Sequence, residues 1–345
     1  MPDNWKLYID LSPIENLLSF FDQAEKNMEK AQKIANHPAF LEMLKHRRSL
    51  GYIPEPFPDS ADLALFIFSA ASQDPLQMIW KWLNPWNDFC LADLYMKKEK
   101  FTLMISSMKE HRAQLEKYIL RKISQYTDKP VRFTDTLVFA VNWGIRSWAT
   151  TRMLGSNLVQ YKDDYQIMLR TLTHETFHRI QLQICPVDPS RRSGKVREFE
   201  DVTFRNFPDK KDRKLYETLS YIMLEGTATF TGGIHSSWQV DTLAVRGAKL
   251  LHEIYNALYV RNDFDTYDRL LNQGLKSNGP FYALGYYMTN KIVKKKGKSE
   301  IGKILRTGAP AFFLESAQLI KESEDPLFSF EKKLMNRIMN LRNDI

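Results

Sequence analysis

A chain of 345 residues, 43% hydrophobic and 26% charged, has the make-up of a globular protein and exceeds the length at which one core usually stops growing, so two subdomains are expected. Its 14 glycines and 15 prolines exclude collagenous and disordered classes, while Cys90 and Cys185 are too few for a disulfide framework and are expected to be free, buried thiols. The formal charge of +8 raises the question of a nucleic-acid partner, but the basic clusters "RRSGKVR" (191–197), "KKDRK" (210–214) and "KKKGK" (294–298) are scattered and read as solvated surface, so none is expected.

The N-terminal "MPDNWKLYIDLS" lacks the basic and apolar segments of a secretory signal, and no stretch nears the ~18 apolar residues of a spanning helix. The expected location is cytoplasmic, with secretion open where a leader has been removed. From Ser12, "SPIENLLSFFDQAEKNMEKAQKIA" predicts a helix with Ser12 as cap, Pro13 at the first helical position and Glu15 completing a capping box. Helical segments follow in "HPAFLEMLKHRR", "DSADLALFIFSAAS" and "DPLQMIWKWLNPW", punctuated by the turn-rich "GYIPEPFPDS" (51–60), and a long helical run extends from about Phe89 to Tyr126. Residues 1–128 are therefore expected to be a helical N-terminal region.

The pattern changes in "TDKPVRFTDTLVFAVNWG", where Val131 to Val141 is rich in β-branched and aromatic residues between Pro and Gly, the mark of a strand. A second extended stretch is expected at "SNLVQYK" (156–162), and helical patterns resume from Tyr165 to the C-terminus. The fold class expected is mainly α with a small β-sheet, an α+β arrangement.

Within the last helical region lies "RTLTHETFHRIQLQ" (170–183). With 7 histidines in the chain, HExxH arises by chance in roughly one such sequence in a hundred. Here it falls in an apolar-periodic helix, where Leu169, Leu172, Thr176 and Ile180 can pack while the histidines face a cleft. His174 and His178 lie one turn apart and project from the same face, so both imidazoles can reach one metal ion. Glu175 lies about 100° round the helix, within reach of a metal-activated water without ligating the metal itself. The ion would lower the pKa of that water from about 15.7 towards roughly 7, and Glu175 would take the proton and pass it to the leaving group.

A catalytic zinc needs a third protein ligand and an open fourth position. A third histidine six residues after the second is excluded, because Gln181 and Ile184 stand where such a motif needs glycine and histidine. The other source is a glutamate on a second helix, and "LYETLSYIMLEGTATFTGG" (215–233) offers Glu217 and Glu225 on one face with Tyr221 between them. Glu225 is preferred because Gly226 and Ala228 follow it and would let two helices approach closely; Glu217 is the fallback.

These motifs resemble the gluzincin group of zinc metallopeptidases, which includes thermolysin-like and aminopeptidase N-type enzymes. "HETFH" (174–178) carries the resemblance, with "LEGTATF" (224–230), similar to the aminopeptidase "LNEGFAxY", and "YALG" (282–285), similar to their "YEKG". The resemblance implies a zincin-like fold, Zn2+ held by His174, His178 and Glu225, Glu175 as base, and Tyr282 as the hydroxyl that stabilises the tetrahedral intermediate. Tyr286, Tyr287 and His235 compete with Tyr282 for that last role, and His252 reads as a satisfied helix histidine. "NHPAFLEMLKH" with "LEGTATF" also resembles a bacterial family of zinc-dependent peptidases.

The chain departs from the pattern in three places. His178 and Glu225 are 47 positions apart, which implies an added excursion around 187–214. Thr229 stands where thermolysin-like enzymes have an Asp that orients a histidine, and no "GxMEN" segment is present. The expectation is a zincin-like catalytic region over 129–345, with an active-site helix at about 165–184 and a glutamate helix at about 214–230. It would hydrolyse peptide bonds in a peptide or protein substrate, aligned by an edge strand near "SNLVQYK". The competing reading is a catalytically inactive metal-binding scaffold or peptide-recognition protein.

Overall fold

The computed structural model describes residues 5–49, 59–72, 90–127, 131–142, 146–149, 153–161, 164–188, 199–233, 238–276, 279–323 and 327–343. Four strands, β1 (Trp5–Asp10), β2 (Phe133–Ala140), β3 (Ser147–Ala149) and β4 (Leu154–Asn157), form a sheet in the order β1-β2-β4-β3. β1 runs parallel to β2 with Trp5 opposite Phe133, β2 runs parallel to β4, and β3 closes the row antiparallel to β4.

The first strand lies where the sequence reads as helical. "WKLYID" alternates buried and exposed side chains, turning Trp5, Leu7 and Ile9 inward. Six residues of alternation acquire meaning only through the partner strand, which follows more than 120 residues later. "SNLVQYK" also departs from expectation. Only Ser156 and Asn157 belong to β4, which lies between β2 and β3 and is not an edge, and Leu158–Tyr161 forms a 3-10 turn. The Tyr161 hydroxyl accounts for this turn. It meets Ser156 Oγ at 2.7 Å and Ser147 Oγ at 2.8 Å, and so folds the stretch back onto its own sheet.

Helices make up the rest. The first are α1 (Ser12–Asp22), α2 (Met28–Ala35), α3 (Pro38–Ser49), α4 (Ser60–Ser72), α5 (Leu91–Met96), α6 (Lys98–Glu110) and α7 (Arg112–Ser124). The single helix predicted from Ser12 is thus two. Asn27 starts the second by accepting the backbone N–H groups of Glu29 and Lys30. Ser12 does not cap α1; its own N–H donates to Asp10 Oδ1 at 2.9 Å. The run from Phe89 is broken at Lys97 and His111. "DPLQMIWKWLNPW" and nearly all of "GYIPEPFPDS" lie outside the described residues.

Then come α8 (Tyr165–Ile184), α9 (Phe199–Thr203), α10 (Lys210–Gly232), α11 (Val240–Tyr255), α12 (Phe264–Leu275), α13 (Pro280–Lys296), α14 (Glu300–Thr307), α15 (Ala309–Lys321) and α16 (Lys332–Asn343). No described helix is long and apolar enough to cross a membrane. The chain divides into two compact units. One is Asp3–Leu120 with Phe133–Glu175 and contains the sheet; the other is Arg121–Arg132 with Thr176–Ile345, and the division falls inside the continuous helix α8.

In the second unit α10 and α13 cross at Gly226 and Gly285. A Cβ on Gly226 would lie 2.2 Å from the Cα of Gly285, so only paired glycines let the two backbones meet there. The sequence reading assigned Gly226 to an approach between the histidine and glutamate helices. Its actual partner is the helix that carries Tyr282.

Candidate metal centre

α8 carries the HExxH residues as a helix should. Leu172, Thr176, Phe177 and Ile180 are fully buried, and Phe177 meets Tyr126 edge-on with ring centroids 6.2 Å apart. Packing fixes the rotation of the helix, and with it the directions of the imidazoles. His174 and Glu175 are half-buried, whereas His178 is only 3% exposed. One side of the group therefore faces inward rather than into an open cleft.

His174, His178 and Glu225 form one group in which a ligand atom from each lies within 4.8 Å of the others. His178 Nε2 and Glu225 Oε2 are 3.4 Å apart, the separation of two ligands on a tetrahedral zinc with bonds of about 2.0–2.1 Å. Two imidazoles and a carboxylate are a donor set suited to zinc, with a fourth position left for water or substrate.

The protonation of His178 follows from its neighbours. Gln181 Nε2 lies 2.8 Å from the Leu224 carbonyl and 2.6 Å from Thr227 Oγ1. A carbonyl can only accept, which fixes the amide so that Gln181 Oε1 faces His178 Nδ1 at 2.6 Å. Nδ1 must then donate, leaving the Nε2 lone pair on the side of Glu225, free of a proton and able to serve as a ligand. The Phe199 ring on α9 packs against the same imidazole in a T-shaped arrangement, with centroids 4.9 Å apart. Gln181 is the residue that sequence reasoning missed. It entered only as the reason no third histidine was possible, although its place three residues after His178 is the signal that could have found it.

The two candidate glutamates separate. Glu217 Oε2 accepts Lys214 Nζ at 3.0 Å and the Tyr267 hydroxyl at 3.2 Å, and it is not part of the three-residue group. Tyr221 stands between the two acids. Burial, then the negative charges of Glu217 and Glu200, push its pKa up to about 12, so its hydroxyl keeps its proton at neutral pH. In the sheet-containing unit, burial and to a smaller degree the charge of Glu175 hold the Tyr161 hydroxyl well above the usual phenol range.

Tyr282 is half-buried on α13, three residues before Gly285. Tyr286 packs on Phe230 and Trp238 at 5.2 and 5.9 Å, and Tyr287 on Phe328 at 5.4 Å, so both have aromatic packing roles. His235 lies outside the described residues. His252 is satisfied, its Nδ1 3.2 Å from Glu331 Oε1 and its Nε2 accepting the Glu331 N–H. Both cysteines are buried thiols outside any disulfide. Of the basic clusters, "KKDRK" opens α10 and "KKKGK" closes α13 at Gly297.

A family model described as "Putative zinc dependent peptidase (DUF5700)" matches residues 91–318, about two thirds of the chain. The protein belongs to this family. The match takes in α8, α10 and α13, and with them the whole His-His-Glu group. It leaves out "NHPAFLEMLKH", whose resemblance to a family of this kind the model does not include. No curated protein and no solved structure matches the chain.

Proposed function

We propose that the protein is a gluzincin-type zinc metallopeptidase that hydrolyses peptide bonds, with His174, His178 and Glu225 as metal ligands and Glu175 as general base. The observation that carries this reading is the convergence of the three side chains, with ligand atoms within 4.8 Å of one another, in a member of a family described as zinc-dependent peptidases. A zinc ion bound there supplies Lewis acidity, which polarises the scissile carbonyl and makes an attacking water acidic. Glu175, next to His174 but off the ligand face, accepts the proton of that water on a carboxylate oxygen and returns it to the departing amine. Gln181 keeps His178 in the tautomer that offers Nε2. Tyr282, from the helix that meets α10 at Gly226, is the proposed hydroxyl donor to the oxyanion.

Purified protein should contain one equivalent of zinc by elemental analysis. Glu175→Gln should keep that zinc while peptide turnover falls by at least about a hundredfold, within the range for loss of a general base. Equal turnover by the two proteins would point to a metal-binding scaffold and a contaminating protease; absence of zinc would remove the reading altogether.

A further inference from the structure

A cavity of about 350 Å³ lies along the first two turns of α10, with Glu200 and Phe204, at α9 and just after it, on the other wall. The face of α10 that lines it, with Lys210, Lys214 and Glu217, continues through Tyr221 to Glu225, each step being three or four residues. α9 also carries Phe199, which packs on His178. Cavity and candidate metal centre thus share α10, and α9 touches both. From Glu217 to Glu225 the helix rises about 12 Å, the length of roughly four residues of extended peptide.

The charges of the cavity are not balanced. Lys214 is matched by Glu217, at 3.0 Å. Arg213 spends Nη1 on the backbone carbonyls of Phe207 and Pro208, and Lys210 lies over the Phe264 ring at 4.0 Å. Among the described residues neither of these two cations is in an ion pair, and Glu200 is the single carboxylate left against them. A volume of this size accommodates a side chain or a chain end, and the surplus positive charge selects one that carries an anion.

We propose that this cavity is a recognition subsite for a carboxylate group of the peptide substrate, about four or more residues from the bond that is cut. The inference rests on the peptidase reading and names the substrate class: peptides with an acidic side chain, or a free C-terminus, at that distance. Lys210 and Arg213 take the carboxylate, and the Phe204 ring flanks it.

Fluorescence anisotropy on full-length, zinc-loaded Glu175→Gln protein tests it without turnover. Three labelled peptides are compared: a C-terminally amidated peptide with one internal glutamate, the same peptide with glutamine in its place, and the glutamine peptide with a free C-terminus. One or both carboxylate-bearing peptides should bind at least about fivefold more tightly than the amidated glutamine peptide, the worth of one partly exposed ion pair. Whichever does so identifies the source of the carboxylate. Lys210→Glu should abolish the preference and Lys210→Arg should keep it. Equal binding of all three peptides, or a preference that survives Lys210→Glu, would overturn the subsite while leaving the peptidase reading intact. Failure of every peptide to bind would sink both.

Discussion

At the scale of single residues, Gln181 links the two helices that carry the candidate metal centre. Its amide nitrogen bonds the Leu224 carbonyl and Thr227 on the glutamate helix, and its oxygen bonds His178 on its own helix. Gln181→Leu, close in volume, removes both links and leaves His178 Nδ1 and the Leu224 carbonyl buried without these partners. Groups that orient a metal ligand are typically worth 10- to 100-fold in affinity, so the dissociation constant for zinc, measured by competition with a chelator, should rise by about that factor. Unfolding free energy should fall by about 1–3 kcal/mol for the buried hydrogen bonds lost. An unchanged zinc constant would mean that the tautomer of His178 is held by something else. The same scale separates Glu225 from Glu217. Each is a glutamate on one face of one helix, and their neighbours distinguish them: Lys214 and Tyr267 bond Glu217, while Glu225 stands opposite His178.

Helix against helix, the contact of α10 with α13 lies beside Glu225, the proposed third ligand. Gly226 and Gly285 are in backbone contact, a Cβ on Gly285 falling 2.1 Å from the Ile222 carbonyl oxygen. Gly226→Ala therefore pushes two long helices apart. Overpacking of this kind costs about 1–3 kcal/mol, and the high end is expected because the obstructing atoms are backbone. Since Glu225 is the preceding residue, the same substitution should also weaken zinc binding. Urea denaturation and zinc titration of the variant measure the two effects; normal stability with normal zinc affinity would show that the crossing relaxes without cost. Element boundaries were legible in the sequence where a local signal marks them. The period of α8 and the Pro-Gly bounded β2 are such signals, whereas the helix break that Asn27 caps was read as continuous helix. β1 was not legible, because its alternation covers six residues and its register is set by Phe133–Val138, far along the chain.

At the scale of the whole molecule, the C-terminal helix is tied to the first turn of α10. Asp212 accepts the Tyr259 hydroxyl at 2.5 Å and Arg337 Nε at 2.6 Å on one oxygen, and Arg337 Nη2 on the other. Leu334, Ile338 and Leu341 bury the apolar face of α16. Asp212 is 6% exposed, so Arg337→Leu would strand a buried carboxylate at a cost of roughly 3 kcal/mol, at the low end for a broken buried pair because Arg337 itself is partly exposed. Calorimetry should find a lower melting temperature for Arg337→Leu. Its zinc content should stay at one equivalent, because Glu225, the proposed ligand on α10, lies more than three turns further along that helix. Loss of zinc together with stability would place the latch within the metal site itself.

By itself the sequence determined that a helix would present His174 and His178 on one face with Glu175 beside them, because a four-residue spacing and an apolar period are local properties of the backbone. It also narrowed the third ligand to two acids on a second helix, and indicated a helical protein with a small sheet. The tertiary structure alone decided that Glu225 and not Glu217 meets the histidines, that Gln181 directs His178, that Gly226 makes room for α13, and that β4 is an inner strand. Each of these depends on which side chains from distant parts of the chain come within bonding distance, and free energies of pairing between remote segments leave no period or spacing in the sequence from which to read them.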